Sequence, residues 1–289
     1  MTTFLVTGAN GKLGRHVTQL LLDAKAGAVI AASRDPSKLA DLAARGAETR
    51  RADFDDEASL AEAFKGVDRL LIISTDSLGA GKRLTQHAAA IAAAKAAGVG
   101  HVVYTSMPKP ETSAVTFAAD HLGTENTLKA SGLSYTILRN SWYQENLLMG
   151  LGAALKSGQW YSSAGDGKLP HIAHADCARA AAAALIQAPA NQTFTLTGPA
   201  LHTTQQIAAL ASEATGKPLK VVEVTDEQLA AGMAHAGLPE AIIPMLVSFD
   251  TNTRQGGFDV LTNDVENLTG QKPSSLEAFL KANAATLLA

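Results

Sequence analysis

Residues Thr3-Phe4-Leu5-Val6-Thr7 form an apolar run that leads directly into Gly8-Ala9-Asn10-Gly11-Lys12-Leu13-Gly14. Few folds require a strand, a tight turn and a helix start in that order. Gly8 can adopt the backbone angles of the turn, and Gly11 carries no Cβ to hold a pyrophosphate off the main chain. Gly14 lets the following helix lie close against a sheet. That helix repeats apolar residues at Leu13, Val17, Leu20 and Leu21, the spacing of one buried face. Its unpaired N–H groups and positive dipole end then face the phosphates. A βα turn that merely tolerates glycine is the plainer alternative. The strand before it and the helix after it favour a dinucleotide cradle.

Further apolar runs at Ala28–Ser33, Glu48–Ala52, Arg69–Ser74, His101–Thr105 and Tyr135–Leu138 alternate with helical stretches. The helices are expected over Pro36–Arg45, Glu57–Lys65, Lys82–Ala97 and Thr116–Ala130. Each connection is too long for a hairpin, so the strands are expected to be parallel with right-handed crossovers. Runs such as Leu70-Leu71-Ile72-Ile73 are apolar throughout, as befits strands covered on both faces. The fold class expected is α/β, a doubly wound parallel Rossmann sheet, with the nucleotide-binding domain over residues 1–141. Residues 142–289 are less regular and read as a smaller, partly interleaved α/β lobe on the substrate side. They hold a glycine- and serine-bearing stretch at Gly158–Gly167, a strand at Thr193–Leu196, a helix at Thr203–Thr215 and a strand at Val221–Val224.

The 289 residues carry a formal net charge of −3 and are 46% hydrophobic, an ordinary balance for a globular protein. No basic stripe marks a nucleic-acid or anionic-membrane surface, so neither partner is expected. Cys177 is the only cysteine, which excludes an internal disulfide framework and a site built on several thiolates. It reads as a buried small residue near a helix start. His171 and His174 lack a third ligand at metal spacing, so no metal is expected. The first residues read as a strand rather than a secretory leader, and no uncharged apolar run reaches the ~18–20 residues of a membrane span. A reduced, cytoplasmic setting is the expectation.

The end of the second strand bears on the choice of nucleotide. NAD-binding folds place a carboxylate there to accept from the ribose 2′-hydroxyl, whereas this chain has Ala32-Ser33-Arg34, with Lys38 one turn on. A guanidinium suits a 2′-phosphate, so NADPH is the expected cofactor, with NADH possible. A solvated surface arginine is the alternative. Asp35 precedes Pro36 and reads as a helix cap rather than a ribose ligand. Asp53-Phe54 falls where the adenine edge rests, though Asp53 equally suits a loop carboxylate. Ser74 and Thr75 end the fourth strand at the carboxyl edge, where ligands of open α/β sheets bind.

Two later strings, Leu138-Arg139-Asn140-Ser141-Trp142-Tyr143-Gln144-Glu145-Asn146 and Ala164-Gly165-Asp166-Gly167-Lys168, join the glycine motif, Arg34 and Asp53-Phe54. Together they resemble the NmrA-like atypical short-chain dehydrogenases. Within that family the chain is similar to the bacterial NAD(P)H:quinone oxidoreductases of type 2 and, less closely, to triphenylmethane reductase. The resemblance runs from Phe4 to the C-terminal helix. It implies that Gly8–Leu13, Arg34, Ser74, Thr75, Asp76, Leu138, Arg139, Asn140, Ser141, Trp142, Tyr143, Gly165, Asp166, Gly167 and Lys168 line a site for NADPH and a quinone. It also implies flavin-independent hydride transfer, which needs chiefly the positioning of the nicotinamide against the acceptor ring.

The sequence departs from the wider superfamily at its catalytic Tyr-x-x-x-Lys. In its place stands His121-Leu122-Gly123-Thr124-Glu125, which removes the usual proton relay to an alcohol or ketone. The catalytic candidates are therefore His121, Asn140 and Tyr143. His121 is spaced to pair with Glu125 as a proton donor or as a surface pair, and Glu125 is equally spaced to pair with Lys129. Ser106 falls where the superfamily's substrate serine sits, close to Tyr104. Trp142 and Tyr143 offer an aromatic wall for a flat ring, or plain packing between lobes. A non-catalytic dinucleotide sensor of the NmrA type and a reductase of conjugated dyes remain as alternatives, and several surface faces allow a homodimer.

Overall fold

The computed structural model describes every residue except Leu78 and Ala80. Its first half follows a strict rhythm: β1 (Thr3–Val6), α1 (Lys12–Asp23), β2 (Ala28–Ser33), α2 (Ala40–Ala44), β3 (Glu48–Arg51), α3 (Glu57–Ala63), β4 (Arg69–Ile72), α4 (Lys82–Ala96), β5 (His101–Ser106), α5 (Ala118–Ala130) and β6 (Ser134–Asn140). Beyond it come α6 (Leu151–Ser157), β7 (Gln159–Ser162), β8 (Lys168–Leu169), α7 (His174–Gln187) and β9 (Gln192–Leu196). The chain continues through β10 (His202–Thr203), α8 (Thr204–Thr215), β11 (Lys220–Glu223), α9 (Asp226–His235) and α10 (Ile243–Arg254). It ends with α11 (Asp264–Thr269), α12 (Leu276–Ala282) and α13 (Ala284–Leu288).

Seven parallel strands form the central sheet in the order β3-β2-β1-β4-β5-β6-β9. The order reverses between β1 and β4, which opens a crevice at their carboxyl ends. Alternate residues of each strand serve opposite faces. Phe4, Val6, Leu71, Val103 and Leu138 pack with Val17 and Leu21 of α1 and the alanines of α7. Leu5, Leu70, Ile72, Val102 and Ile137 pack with α3, α4 and α5. Each fully buried Leu, Ile, Val or Phe contributes ~1.5–3 kcal/mol by transfer from water. This two-sided burial is why the strands carry no polar alternation.

The second half interleaves with the sheet and adds a short strand within the glycine- and serine-bearing stretch. After residue 142 the chain returns to the sheet: α7 covers α1's face and β9 extends the sheet beyond β6. The stretch 158–167 contains β7, which pairs in parallel with β11. The remaining elements enclose a separate apolar core, with Leu151, Leu155, Ile207, Ala211, Leu276 and Leu280 at its centre. That lobe is clamped to the loop after β5. Lys109 donates to the carbonyls of Gly256 and Asp259 at 3.1 and 2.9 Å. Asn252 Oδ1 on α10 accepts from Ser113 Oγ and the Ala114 amide, both at 2.9 Å. The clamp sets the roof of the crevice.

Candidate active site

The glycine turn has the expected geometry. Gly8 sits at φ +61°, in the left-handed region, where a side chain is strained. A Cβ on Gly14 would come below 3 Å of the Gly8 carbonyl, so α1 lies against the turn only because Gly14 is glycine. Gly11 is the N-cap of α1 with no side-chain cap and no acidic residue in the first turn. Its surroundings are open, as are those of Gly8, Asn10 and Lys12, whereas Ala9 and Leu13 are buried. The end of α1, without a side-chain cap, and its positive dipole are suited to an anion.

Arg34 leaves the end of β2 exposed to solvent and forms no ion pair among the described residues. Ser33 Oγ beside it is buried without a partner. Asp35 accepts from the Ser37 amide at 3.1 Å, caps the short helix Pro36–Leu39 and pairs with Lys38 at 3.8 Å. Asp53 is spent on its own turn, accepting from the Asp55 amide at 3.1 Å and from Arg51 at 3.3 Å. Phe54 packs edge-on to His87.

The fourth strand ends at Ile72 rather than Ser74, which frees Ser74, Thr75 and the exposed Asp76 as a loop along the carboxyl edge. Two buried residues of α4 hold that loop. The Thr75 amide donates to His87 Nε2 at 3.0 Å, and the hydroxyls of Thr75 and Ser77 donate to Gln86 Oε1 at 2.8 and 2.9 Å. Because His87 Nε2 accepts, its proton lies on Nδ1 and points to Thr124 Oγ1, 3.0 Å away. Burial, then Arg83, pushes the His87 pKa down to about 3.

A cavity of about 270 Å³ opens below this loop at the carboxyl ends of β4, β5 and β6. That is just under the ~300–1,000 Å³ usual for small-molecule sites. Ser74, Thr105 and Ser106 line one side, Asn140, Ser141, Trp142 and Tyr143 another, and Phe117, His121 and Arg83 a third. Asn140 Nδ2 donates to Tyr143 Oη at 3.0 Å. Asn140 Oδ1 and Ser141 Oγ are buried without partners. Burial raises the Tyr143 phenol well above its ordinary pKa, and its ring leans on His174 at 4.1 Å. Trp142 lies 4.1 Å from Phe249 and 6.0 Å from Phe258, so it both walls the cavity and joins the lobes. Two larger hollows, of 610 and 470 Å³, lie at the amino ends of the strands beside Arg69 and His101 and on the flank of β3. Neither is at the edge where such sheets bind ligands.

His121 is inside the protein, not on a surface pair. Arg83 has only donors, so His121 Nε2 accepts from Arg83 Nη1 at 3.3 Å and its Nδ1–H donates to Tyr104 Oη at 2.8 Å. Burial, then Arg83, holds its pKa down to about 3, so the ring is neutral at neutral pH. The expected His121–Glu125 contact is absent among the described residues. Glu125, fully buried, accepts instead from Ser106 Oγ at 2.7 Å, from Arg139 at 2.7 and 2.8 Å and from Lys129 at 3.2 Å. One carboxylate closer to three donors than to the ring explains the correction.

Several residues implied by the resemblance do not reach the cavity. Arg139 is tied to Glu125 and Glu111, and Leu138 is wholly inside the sheet core. Gly165, Asp166, Gly167 and Lys168 lie against α10. A Cβ on Gly167 would come below 3 Å of the Thr253 carbonyl, and Lys168 pairs with Thr203 in the β8–β10 ribbon. Cys177 is buried in α7, its thiol pushed up chiefly by burial. No group of three metal-binding side chains forms among the described residues, and no described helix is long and apolar enough to cross a membrane.

The sheet order, the glycine turn and the carboxyl-edge cavity match a known pattern, and the model of the NmrA-like family covers residues 1–280. The chain belongs to the NmrA-like family. Quinone oxidoreductase 2 of Escherichia coli is 37% identical over 94% of this chain and 95% of its own. The crystal structure of that NADPH-dependent enzyme with NADPH superposes with a TM-score of 0.92, at 36% identity over 96% and 99% of the two chains. Triphenylmethane reductase of Citrobacter, solved with NADP(H), gives a TM-score of 0.91 at 32% identity over 97% and 99%. The NAD(P)H azoreductase of Xenophilus azovorans is 30% identical over 97% and 98%. The buried polar residues at this edge that sequence reading passed over are Arg83, which lines the cavity, and Gln86 and His87, which hold the Thr75–Ser77 loop. The available signal was their place: bulky polar side chains in an α4 otherwise rich in alanine.

Proposed function

We propose that this NmrA-like protein is an NADPH-dependent quinone oxidoreductase that passes hydride directly to a quinone or a similar electron-poor acceptor. The observation that carries this reading is the continuity of cradle and cavity along one sheet edge. The N-terminus of α1, which has no side-chain cap, suits a pyrophosphate. Arg34, with no ion-pair partner among the described residues, suits a 2′-phosphate, and Asn140 Oδ1 is an unused acceptor beside the cavity. Bound there, the dinucleotide supplies a hydride from its reduced ring. Residues 1–141 furnish the nucleotide platform together with α7 and β9, and the rest of 142–289 supplies the acceptor side.

Asn140, Ser141 and Trp142 are assigned to hold the two rings face to face, which is the main requirement of direct hydride transfer. The neutral His121 is a poor acid, so the proton that completes the hydroquinone is assigned to water. Similarity to quinone oxidoreductase 2 across nearly the whole chain supports the same assignment. The test is oxidation of NADPH by the purified protein with 1,4-benzoquinone, with a triphenylmethane dye and with no acceptor. Turnover with the quinone well above that with the dye, and none without an acceptor, is expected. Nucleotide binding with no turnover on any acceptor would turn the reading to a sensor.

A further inference from the structure

Arg83 is 94% buried, at 6% exposure, and lines the cavity. A buried guanidinium ordinarily has a carboxylate against it, because an unpaired charge in the interior is costly. Arg83 forms no ion pair among the described residues, and the two others, Leu78 and Ala80, have no carboxylate to offer. Asp120 and Asp76 act on it only from beyond ion-pair range. Its contacts are weak ones: the Ser77 carbonyl at 3.4 Å, His121 Nε2 at 3.3 Å and the Phe117 ring at 4.5 Å. Its Nε has no partner. The charge is held by an aromatic ring and a neutral histidine, and the side chain lines the cavity with no carboxylate against it among the described residues.

We propose that Arg83 receives the oxygen of the acceptor and selects acceptors that finish the reaction as an oxyanion over those that enter as cations. The proposal rests on the quinone reading above. A quinone that takes a hydride gains two electrons and one hydrogen. One C–H bond of the reduced nicotinamide breaks, an O–H bond forms at one quinone oxygen, and the oxidised nicotinamide and a hydroquinone monoanion charged at the other oxygen result. The negative charge sits on the phenolate oxygen until water supplies the second proton. A fixed guanidinium at that oxygen stabilises charge that was not there in the quinone, which accelerates the transfer rather than only the binding. A triphenylmethane dye enters as a cation and leaves neutral, so the same guanidinium opposes its entry.

The test compares the wild-type protein with Arg83→Met, which keeps an unbranched apolar stem and removes the charge, and with Arg83→Lys. In NADPH-driven turnover, Arg83→Met is expected to lose about 100-fold in kcat/KM for 1,4-benzoquinone, as when an oxyanion donor is removed. NADPH affinity is expected to stay within about twofold, and kcat/KM for crystal violet to hold or rise. Arg83→Lys should recover the quinone rate to within about tenfold, short of full because a point charge replaces a fork. An equilibrium arm needs no turnover: 4-nitrophenol, which changes colour on ionising, is bound to the NADP+ complex. Its bound pKa is expected about one unit or more lower in wild type than in Arg83→Met. Equal losses on quinone and dye, a quinone loss under about threefold, or equal ionisation of bound nitrophenol would each overturn the proposal. If wild type reduces no quinone, the quinone reading fails by itself and the nitrophenol arm still judges Arg83.

Discussion

Two glycine turns of this chain look alike as strings and serve different purposes in the fold. In Gly8–Gly14, the missing Cβ of Gly14 lets α1 close onto the turn, and the end of α1, without a side-chain cap, lies at the carboxyl edge beside which the strand order reverses. In Gly165–Lys168, the missing Cβ of Gly167 lets the turn press on the Thr253 carbonyl of α10, and nothing of it reaches the cavity. Both glycines answer a backbone-to-backbone approach. Only the first does so at the carboxyl edge of the seven-stranded sheet, ahead of a twelve-residue helix whose dipole can hold an anion. A glycine string therefore reports close packing, and its position on the sheet decides whether a ligand follows.

The sharpest way to break this comparison is at the two packing glycines. Gly14→Ala and Gly167→Ala are each expected to lose about 3 kcal/mol or more in urea unfolding, because the new methyl meets backbone that cannot rotate away. Gly11→Val, whose Cβ would approach only the Gly8 carbonyl at 3.3 Å, should keep the fold and lose nucleotide binding in calorimetry. Normal stability in Gly14→Ala would remove the packing argument at the first turn.

A smaller effect separates the turns by charge. Arg34→Ala is expected to erase an NADPH-over-NADH preference of about 10- to 150-fold, the worth of a charged hydrogen bond at ~1.5–3 kcal/mol. Lys168→Ala, on the second turn, should leave both dissociation constants unchanged. Equal wild-type affinity for the two nucleotides, or a loss of NADPH on changing Lys168, would redraw the site.

The smallest expected effect is at His121. Its pKa of about 3 lies below the ordinary value of 6.5, so burial and Arg83 keep it neutral and it takes up its proton only in strong acid. Turnover should accordingly show no inflection from this ring between pH 5 and 8. His121→Ala should cost under about tenfold, against the ~10²–10⁴-fold contribution of a general acid. A thousandfold loss with NADPH affinity intact would make His121 the acid and place the proton donor in the cavity after all.

Legibility followed the range of the physics involved. The parallel sheet, the Gly8–Gly14 cradle and the cap role of Asp35 were readable because each depends on neighbours within a few residues or on a period along the chain. The strands themselves ran slightly differently: β6 reaches Asn140, and β4 stops at Ile72, because pairing with β5 and β9 decides where a strand ends. Trp142 kept both of its readings, wall and joint, since one face of a ring can serve the cavity while the other meets Phe249.

By itself, then, the sequence determined a doubly wound sheet with an anion cradle at its first turn, since glycine spacing and apolar runs act locally. Only the tertiary structure decided which polar groups meet. Glu125 is nearer in sequence to His121 than to Arg139, yet β6 lies beside β5 and brings Arg139 and Ser106 to the carboxylate. His121 was left to Tyr104 and Arg83. Partners 14, 17 and 38 residues apart are chosen by strand order and helix packing, and no spacing rule along one chain encodes that choice.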